Sequence, residues 1–316
     1  MTNICETCKI PLNKPYQSVN YSVNNMKSYL KKHNFDHIYE DAVKTLNNNK
    51  LSNYNSYNYI MIDIGKQYAN RYIVWFTSKT NNNVLEIPNH IDAYKSYNMG
   101  LVKLNKDGFA KFNLPINTIY SEKGVTYATH LHYLVSKKNY KVEEPFLNRF
   151  FTKNILPKYN LTQFKNIIKK KNMVCLNSLR LYSADIPNTY YLPTNIAKDY
   201  SKIQLDNYMV YVLSNYPPIQ KEILNKNITL KETPIMIFCY NSKCNAAKRL
   251  AEILYRNGYT NLHYFPGGYL DYYGKQKGGK RWSKNRKRSI NCKKPRGFSQ
   301  KQHCKYGRKK KTKRKN

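Results

Sequence analysis

The sequence predicts an α/β domain with a parallel sheet and flanking helices. It is preceded by a small, mainly-β, sandwich-like domain and followed by a disordered basic tail. In the C-terminal half, short apolar runs alternate with stretches of helical periodicity, which is typical of βαβ units. Between residues 57 and 142, short β-type runs follow one another. From residue 275 onward there are 20 Lys and Arg residues and no acid, a composition that cannot bury a core.

Composition narrows the class of protein further. A hydrophobic content of 41% over 316 residues is enough for two ordinary domains. The formal charge is +37, of which +17 belongs to the first 274 residues, so polyanions are candidate partners. Seven cysteines form no regular disulfide framework, and no secretory signal or apolar stretch of about 20 residues is present. The chain is therefore expected to be intracellular, in a reducing compartment, with no membrane partner.

The first two segments of the chain are residues 1–50 and 51–150. In the first, apolar residues at three- and four-residue spacing predict one helix from Tyr29 to Val43. In the second, the Asp107-Gly108 pair between two alternating runs predicts a hairpin. The runs predicted as strands are 59–64, 71–76, 100–104, 109–114 and 127–135. Their spacing favours a β-sandwich whose role the sequence does not indicate.

Two patterns in this half have metal-ligand spacing. His130 and His132 lie two apart in a predicted strand, so both side chains point to one face. Tyr120 and this His-x-His pair resemble intradiol dioxygenases, in which tyrosine and histidine side chains bind iron. The alternative is two histidines on a sheet face with no metal.

The second metal pattern is at the N-terminus. Cys5 and Cys8 have zinc-knuckle spacing, and Cys292 with Cys304 could complete a zinc site from the far end. The alternative is a pair of free thiols at residues 5 and 8.

The domain expected over residues 160–275 contains the clearest pattern. After a basic helix at 164–171, short apolar runs at 173–176 and 235–239 read as strands buried on both faces. A polar loop follows, then a helix over 246–255 that ends near Gly258, and a strand at 262–265.

This order places Cys239 at the carboxyl end of a central parallel strand, where ligands of α/β proteins bind. The next helix directs free N–H groups and its positive dipole end toward the thiol. Such surroundings lower a cysteine pKa and hold anions. The loop residues expected to form this cradle are Tyr240, Asn241, Ser242, Lys243, Cys244 and Asn245.

These residues resemble the active-site half of rhodanese domains. The matching features are the strand ending in Cys239, the loop, the Ala-rich helix and the Gly267-Gly268 pair. Upstream, the segment containing Asp185 resembles the family's Gly-His-Ile-Pro-Gly-Ala motif, with Asp185 in place of the histidine. The resemblance implies a sulfurtransferase in which Cys239 carries sulfane sulfur as a persulfide, with Gly267, Gly268 and Asp185 in support. The implied partners are a small anionic sulfur donor and a thiol or cyanide acceptor, with no cofactor.

Two other functions stay open. Cys239 and Cys244 could form the redox pair of a thiol enzyme that reduces a small oxyanion. In the other alternative the rhodanese-like fold is a non-catalytic scaffold of a viral binding or packaging protein. The tail at 276–316 resembles short basic C-terminal modules of giant DNA virus proteins, and its charge would bind nucleic acid without reading sequence. A virion, host cytoplasm or nuclear location would fit such a tail.

Overall fold

The computed structural model describes residues 15–80, 87, 89–122, 124–179, 186–274, 290–292, 294 and 304. The chain through Tyr272 is one compact unit, and residues from Tyr273 onward form a second. The strands are β1 (Ser18–Ser22), β2 (Tyr59–Asp63), β3 (Tyr72–Thr77), β4 (Asn98–Lys103), β5 (Phe109–Asn113), β6 (Tyr120–Glu122), β7 (Val125–Tyr127), β8 (His130–Ser136), β9 (Phe146–Asn154), β10 (Val174–Asn177), β11 (Tyr190–Tyr191), β12 (Ile235–Phe238) and β13 (Leu262–Phe265). The helices are α1 (Met26–Lys32), α2 (Asp36–Asn48), α3 (His90–Tyr94), α4 (Leu161–Lys170), α5 (Thr194–Ala197), α6 (Lys202–Leu213), α7 (Pro217–Leu224), α8 (Ala246–Arg256) and α9 (Gly268–Tyr272).

The N-terminal half is built on a five-stranded antiparallel sheet in the order β1-β9-β8-β3-β4. Helices α1 and α2 pack on one face through Leu30 and Ile38, against Val74 and Phe76 of β3. The small β2–β5 sheet packs on the other face, against Trp75 and its neighbours. Because β3 is covered on both sides, its sequence is a continuous apolar run. The expected second β-layer therefore covers one face of the main sheet, while helices cover the other.

Three local predictions in this half are wrong in detail. The helix expected from Tyr29 to Val43 is two helices, because Asn34 adopts φ +61° between them. The predicted Asp107-Gly108 turn is present, with Gly108 at φ +78°, but the strands that it joins belong to different sheets. The strand expected over 127–135 is divided into β7 and β8, which pair with different partners.

The C-terminal half contains a four-stranded parallel sheet in the order β11-β10-β12-β13. Alternate residues of β12 face opposite layers: Ile235 and Ile237 pack with α6 and α8, whereas Met236 and Phe238 pack with α4. The mixed α/β architecture, with helices on both faces of a parallel sheet, is as predicted. It is compatible with a rhodanese-like fold.

The two halves are joined within one unit by backbone bonds. The Tyr159 N–H donates to the carbonyl of Tyr264, and the Tyr264 N–H donates to the carbonyl of Pro157. The Asn58 side chain accepts a hydrogen bond from the Lys158 N–H at 3.1 Å. The segment between β9 and α4 is therefore fixed against the edge of the parallel sheet beside β13.

Candidate functional site

Cys239 lies one residue beyond β12, at the carboxyl end of the parallel sheet, as the sequence predicts. It is 1% exposed and belongs to the apolar core between the sheet and α8. The loop from Tyr240 to Asn245 leads directly into α8, which begins at Ala246. The α8 side of this junction presents N–H groups that have no partner within the helix, a favourable setting for an anionic sulfur.

The backbone on either side of Cys239 is held at several points. Ser178 donates both its N–H and its hydroxyl to the carbonyl of Phe238, at 2.9 and 2.8 Å. The Tyr269 N–H donates to the Cys239 carbonyl at 2.9 Å, and the Leu270 N–H donates to the Tyr240 carbonyl at 3.0 Å. Cys239 therefore sits on a fixed backbone between β10 and the start of α9.

The double glycine makes this contact with α9 sterically feasible. Gly268 adopts φ +57°, and a Cβ there would lie 2.1 Å from the Cys239 carbonyl oxygen. A Cβ on Gly267 would lie 2.2 Å from an Asp271 side-chain oxygen. A side chain at 268 would push α9 away from the cysteine loop, so glycine is required there.

The loop itself is held mainly by local bonds. The Asn241 carboxamide oxygen accepts the Lys243 N–H, and its carbonyl accepts the Cys244 N–H, both at 3.0 Å. Tyr240 is exposed and stacks on Tyr269 with ring centroids 6.1 Å apart. The side chains of Ser242, Lys243 and Asn245 are exposed. Lys243 is thus placed to attract an anion, but it does not line a closed cradle around the sulfur.

Cys239 and Cys244 form a disulfide, with Cα atoms 6.3 Å apart. A second disulfide joins Cys292 and Cys304 in the C-terminal unit. The expectation that the cysteines form no disulfide framework is therefore wrong for these four. The second bond joins the two cysteines that could have completed a zinc site with Cys5 and Cys8, and in this disulfide they are not free to bind zinc. Cys5 and Cys8 lie outside the described residues. Cys175 is a buried free thiol whose pKa is raised to about 12 by burial, which makes it unreactive at neutral pH.

Sequence reasoning missed three residues that build this site. Besides Ser178 and Tyr269, Thr194 at the start of α5 donates its hydroxyl to the carbonyl of Ala246, the first residue of α8. The only signal for Ser178 was a hydroxyl group two residues beyond the strand predicted at 173–176, and the sequence offered no signal for Thr194. Asp185, predicted to support the site, lies outside the described residues.

A second cluster of chemical groups lies in the N-terminal half, around His130 and His132 on β8. Their Nε2 atoms are 3.2 Å apart, so the two side chains share a face as predicted. The hydroxyls of Tyr120 and Tyr94 lie 3.3 and 3.4 Å from His130 Nε2. All four residues are at most 2% exposed. Tyr94 was not predicted, because it lies 36 residues away on α3.

The protonation of the two imidazoles follows from their partners. His130 Nδ1 lies 2.6 Å from the Ala128 carbonyl, which only accepts, so Nδ1 carries the proton and Nε2 a lone pair. His132 Nδ1 lies 2.9 Å from the Thr152 hydroxyl. Burial lowers the pKa of His130 to about 4, and burial together with the neighbouring His130 and His33 lowers the pKa of His132 well below its usual range. Both rings are neutral at pH 7, the form that binds metals.

Tyr94 also belongs to the lining of a neighbouring pocket. This pocket of about 500 Å³ is lined by Phe35 and His90 as well. His90 is held there by Glu122, with Nδ1 and a carboxylate oxygen 2.5 Å apart. Within the described residues, no three His, Cys, Asp or Glu side chains converge as metal ligands, so the tyrosines are needed to complete a donor set.

Comparisons with known proteins do not assign the chain to a family. No protein-family model matches the chain, and no curated protein is similar to it at a significant level. Among matching solved structures, the BH2092 protein of Bacillus halodurans is 17% identical over 37% of this chain and 70% of its own, with a TM-score of 0.24. The single-domain sulfurtransferase RDL2 of Saccharomyces cerevisiae is 15% identical over 39% of this chain and 92% of its own, with a TM-score of 0.26. No helix among the described residues is long and apolar enough to cross a bilayer. At these scores the fold assignment depends on the parallel strand order and the position of Cys239 at its carboxyl edge.

Proposed function

We propose that the parallel-sheet half is a rhodanese-like sulfurtransferase in which Cys239 carries sulfur and Cys244 ends the persulfide state. The observation that carries the proposal is the bond between Cys239 and Cys244 at the carboxyl edge of the sheet. A second thiol within bonding distance of a carrier cysteine can react with any sulfur that the carrier holds.

The reaction proceeds by displacement at sulfur. In the reduced protein, the Cys239 thiolate attacks the outer sulfur of thiosulfate, the S–S bond of the donor breaks, and sulfite leaves. The product is a Cys239 persulfide. An acceptor thiol or cyanide can take its outer sulfur and restore the Cys239 thiolate.

Without an acceptor, Cys244 completes a different cycle. The Cys244 thiolate attacks the Sγ atom of the Cys239 persulfide, the bond to the transferred sulfur breaks, and hydrosulfide leaves. This step forms the Cys239–Cys244 disulfide of the structure. Two external thiols then reduce it and are oxidised to their own disulfide.

The test uses the reduced full-length chain and thiosulfate. Cys244→Ser should accumulate one added sulfur atom on Cys239, detected by mass spectrometry of the intact protein and of its peptides. The unaltered protein should release sulfide and form the disulfide instead. Cys175→Ser is the matched control, since burial raises the pKa of that thiol to about 12, and it should behave as the unaltered protein does. If Cys239→Ala still transferred sulfur, or if the disulfide formed without persulfide or sulfide, the proposal would be wrong; the second result would favour reduction of an oxyanion.

A second function is proposed for the antiparallel half: binding of a metal ion by Tyr94, Tyr120, His130 and His132. The observation is the convergence of two tyrosine hydroxyls and the His132 Nε2 atom on His130 Nε2, at 3.2 to 3.4 Å. Two phenol oxygens and two imidazole nitrogens at this spacing form a donor set that a cation among them could bind.

The donor set indicates which ion fits. Imidazole nitrogen binds iron, copper and zinc, and phenolate oxygen is a hard anionic donor that favours Fe³⁺. The Nδ1 atom of His130 is hydrogen-bonded to the Ala128 carbonyl, and that of His132 to the Thr152 hydroxyl. Hydrogen bonds of this kind commonly orient histidine rings that bind a metal through Nε2. Bound there, iron would supply redox or Lewis-acid chemistry beside the pocket that Tyr94 lines.

Metal content decides this proposal without any activity assay. The purified protein loaded with Fe³⁺ should hold about one equivalent of iron and show a visible tyrosinate-to-iron absorption band. Tyr94→Phe should shift or weaken the band, and His132→Ala should abolish iron binding. Tyr133→Phe is the control, because Tyr133 adjoins His132 on the opposite face of β8. Iron retained by His132→Ala, or no band in the loaded protein, would contradict the site.

A further inference from the structure

We propose that external thiols open the Cys239–Cys244 disulfide by attack at Cys244 rather than at Cys239, and that the favoured thiols carry negative charge. This deepens the proposed sulfur-transfer function, since it takes the Cys239–Cys244 pair as its working dithiol. It assigns to Cys244 a catalytic role, the formation of a mixed disulfide with an incoming thiol.

The first argument is exposure. Thiol–disulfide exchange requires a thiolate to reach one of the two sulfur atoms. Cys239 is 1% exposed and lies in the apolar core, whereas Cys244 is partly exposed at the edge of that core. An external thiol therefore meets Cys244 first.

The second argument is the difference in how the two residues are held. The Cys239 carbonyl is fixed by the Tyr269 N–H, and the backbone of α9 lies against it at Gly268. Cys244 ends a turn that is held by local hydrogen bonds, from the N–H groups of Lys243 and Cys244 to Asn241. Opening the bond can move Cys244 outward while Cys239 stays in place.

The third argument is charge. The stretch from Tyr240 to Leu250 contains no acid and three exposed cations, Lys243, Lys248 and Arg249. Lys243 precedes the partly exposed Cys244 in the loop, and Lys248 and Arg249 follow it in the first turn of α8. An approaching thiol with carboxylates is attracted by them, and a thiol with an amine is repelled.

External thiols reduce the disulfide in two thiol–disulfide exchange steps. A thiolate attacks Cys244 Sγ, the Cys239–Cys244 bond breaks, and Cys239 leaves as a thiolate at the end of β12. A second thiolate attacks the outer sulfur of the mixed disulfide and leaves Cys244 as a thiolate. The two external thiols end as one disulfide, and the protein gains the two electrons.

The test uses full-length variants that each lack one cysteine of the pair, together with oxidised glutathione, an anionic disulfide. Peptide mapping should find Cys244 glutathionylated in Cys239→Ser at least about tenfold faster than Cys239 in Cys244→Ser, because a buried thiol reacts slowly. In the unaltered protein after partial reduction, iodoacetamide should label Cys244 before Cys239, which guards against a variant that folds poorly. Faster modification of Cys239 in either experiment would overturn the proposal.

A charge variant tests the partner class. Lys243→Glu should lower the rate at which reduced glutathione opens the disulfide by at least about threefold relative to cysteamine, a cationic thiol. Lys221→Glu, an exposed lysine on α7, should leave that ratio unchanged. An unchanged ratio in Lys243→Glu would overturn the preference for anionic thiols. These measurements do not involve sulfane sulfur, so they can succeed even if Cys239 never accepts it. A failure of this proposal can therefore be distinguished from a failure of the proposed sulfur transfer.

Discussion

At the scale of single residues, the geometry around the cysteine loop requires that residue 268 has no Cβ atom. Gly268 combines a left-handed backbone conformation with a Cβ position 2.1 Å from the Cys239 carbonyl oxygen. Both the backbone conformation and the short distance disfavour a side chain at position 268. Only the short distance to the Cys239 carbonyl oxygen affects the candidate site. The conformational strain and the backbone clash can be separated by comparison with another glycine.

Gly268→Ala should destabilise the protein by at least about 3 kcal/mol, since the new methyl group must displace backbone. Gly124 provides the control: it also has positive φ, at +74°, but nothing lies within 4 Å of its Cβ position. Gly124→Ala should cost about 1 kcal/mol, which is the conformational strain alone. Urea unfolding of the two variants measures the difference, and equal losses would show that α9 does not press on the cysteine loop.

The tyrosines illustrate the limit of sequence reasoning at this scale. His130 and His132 could be placed on one face because a strand alternates with period two. The approach of Tyr94 could not be predicted, since it depends on how α3 packs across the sheet 36 residues away. The same holds for Tyr269, whose N–H contact with Cys239 is set by the chain returning after β13.

At the scale of elements, local patterns were sufficient to locate elements that have a distinct periodicity. Strand β12 and helix α8 begin and end within one or two residues of the predicted limits, because a strand buried on both faces and an amphipathic helix have distinct periodicities. Strands β4 and β5 were predicted as one hairpin, but β4 pairs with β3 and β5 with β2. Alternation marks a strand without naming its partner.

Helix α4 offers a prediction at this scale. Its first turn is closed by a reciprocal pair: the Asn160 side chain accepts the Gln163 N–H, and the Gln163 side chain accepts the Asn160 N–H, both at 2.9 Å. The helix carries Phe164, which stacks on Phe265 with ring centroids 4.1 Å apart. Asn160→Ala should lower the free energy of unfolding by about 1 kcal/mol.

The matched variant is Asn160→Ser, which keeps an oxygen acceptor at the cap and should lose only a few tenths of that amount. Chemical denaturation followed by far-ultraviolet circular dichroism distinguishes the two. If both variants were equally destabilised, the cap would matter through the size of the asparagine side chain and not through its hydrogen bond.

At the scale of the whole molecule, the chain joins two halves with different sheets and different reactive groups. In the parallel half, the Cys239–Cys244 pair lies at the carboxyl end of the sheet. In the antiparallel half, His130 and His132 are buried on a sheet that is covered on both faces. The two candidate sites are therefore expected to respond to different conditions: thiols in the first, pH and metal ions in the second. The order of the halves and the basic C-terminal composition were readable from the sequence, but the contact between β9, α4 and β13 that joins the halves was not.

Acid should destabilise this molecule through its buried histidines. Burial lowers the pKa of His130 to about 4 and that of His263 to about 3, and it lowers the pKa of His132 as well. An unfolded histidine has a pKa near 6.5. Between that value and the folded pKa, the unfolded chain binds more protons, so the free energy of unfolding falls as pH falls. His130 alone should contribute a loss of about 3 kcal/mol between pH 7 and the acid side of pH 4.

Urea denaturation of metal-free protein at pH 7, 6, 5 and 4 measures this loss. His37→Gln should leave the profile unchanged, because His37 is exposed to solvent. His130→Gln should flatten it, even though its stability at pH 7 is lower. Bound metal should oppose the effect, since a proton and a metal ion compete for the same Nε2 lone pair. A free energy of unfolding that stayed constant from pH 7 to pH 5 would show that these imidazoles are not buried neutral groups. The proposed metal site would then be wrong, because it requires neutral imidazoles as ligands.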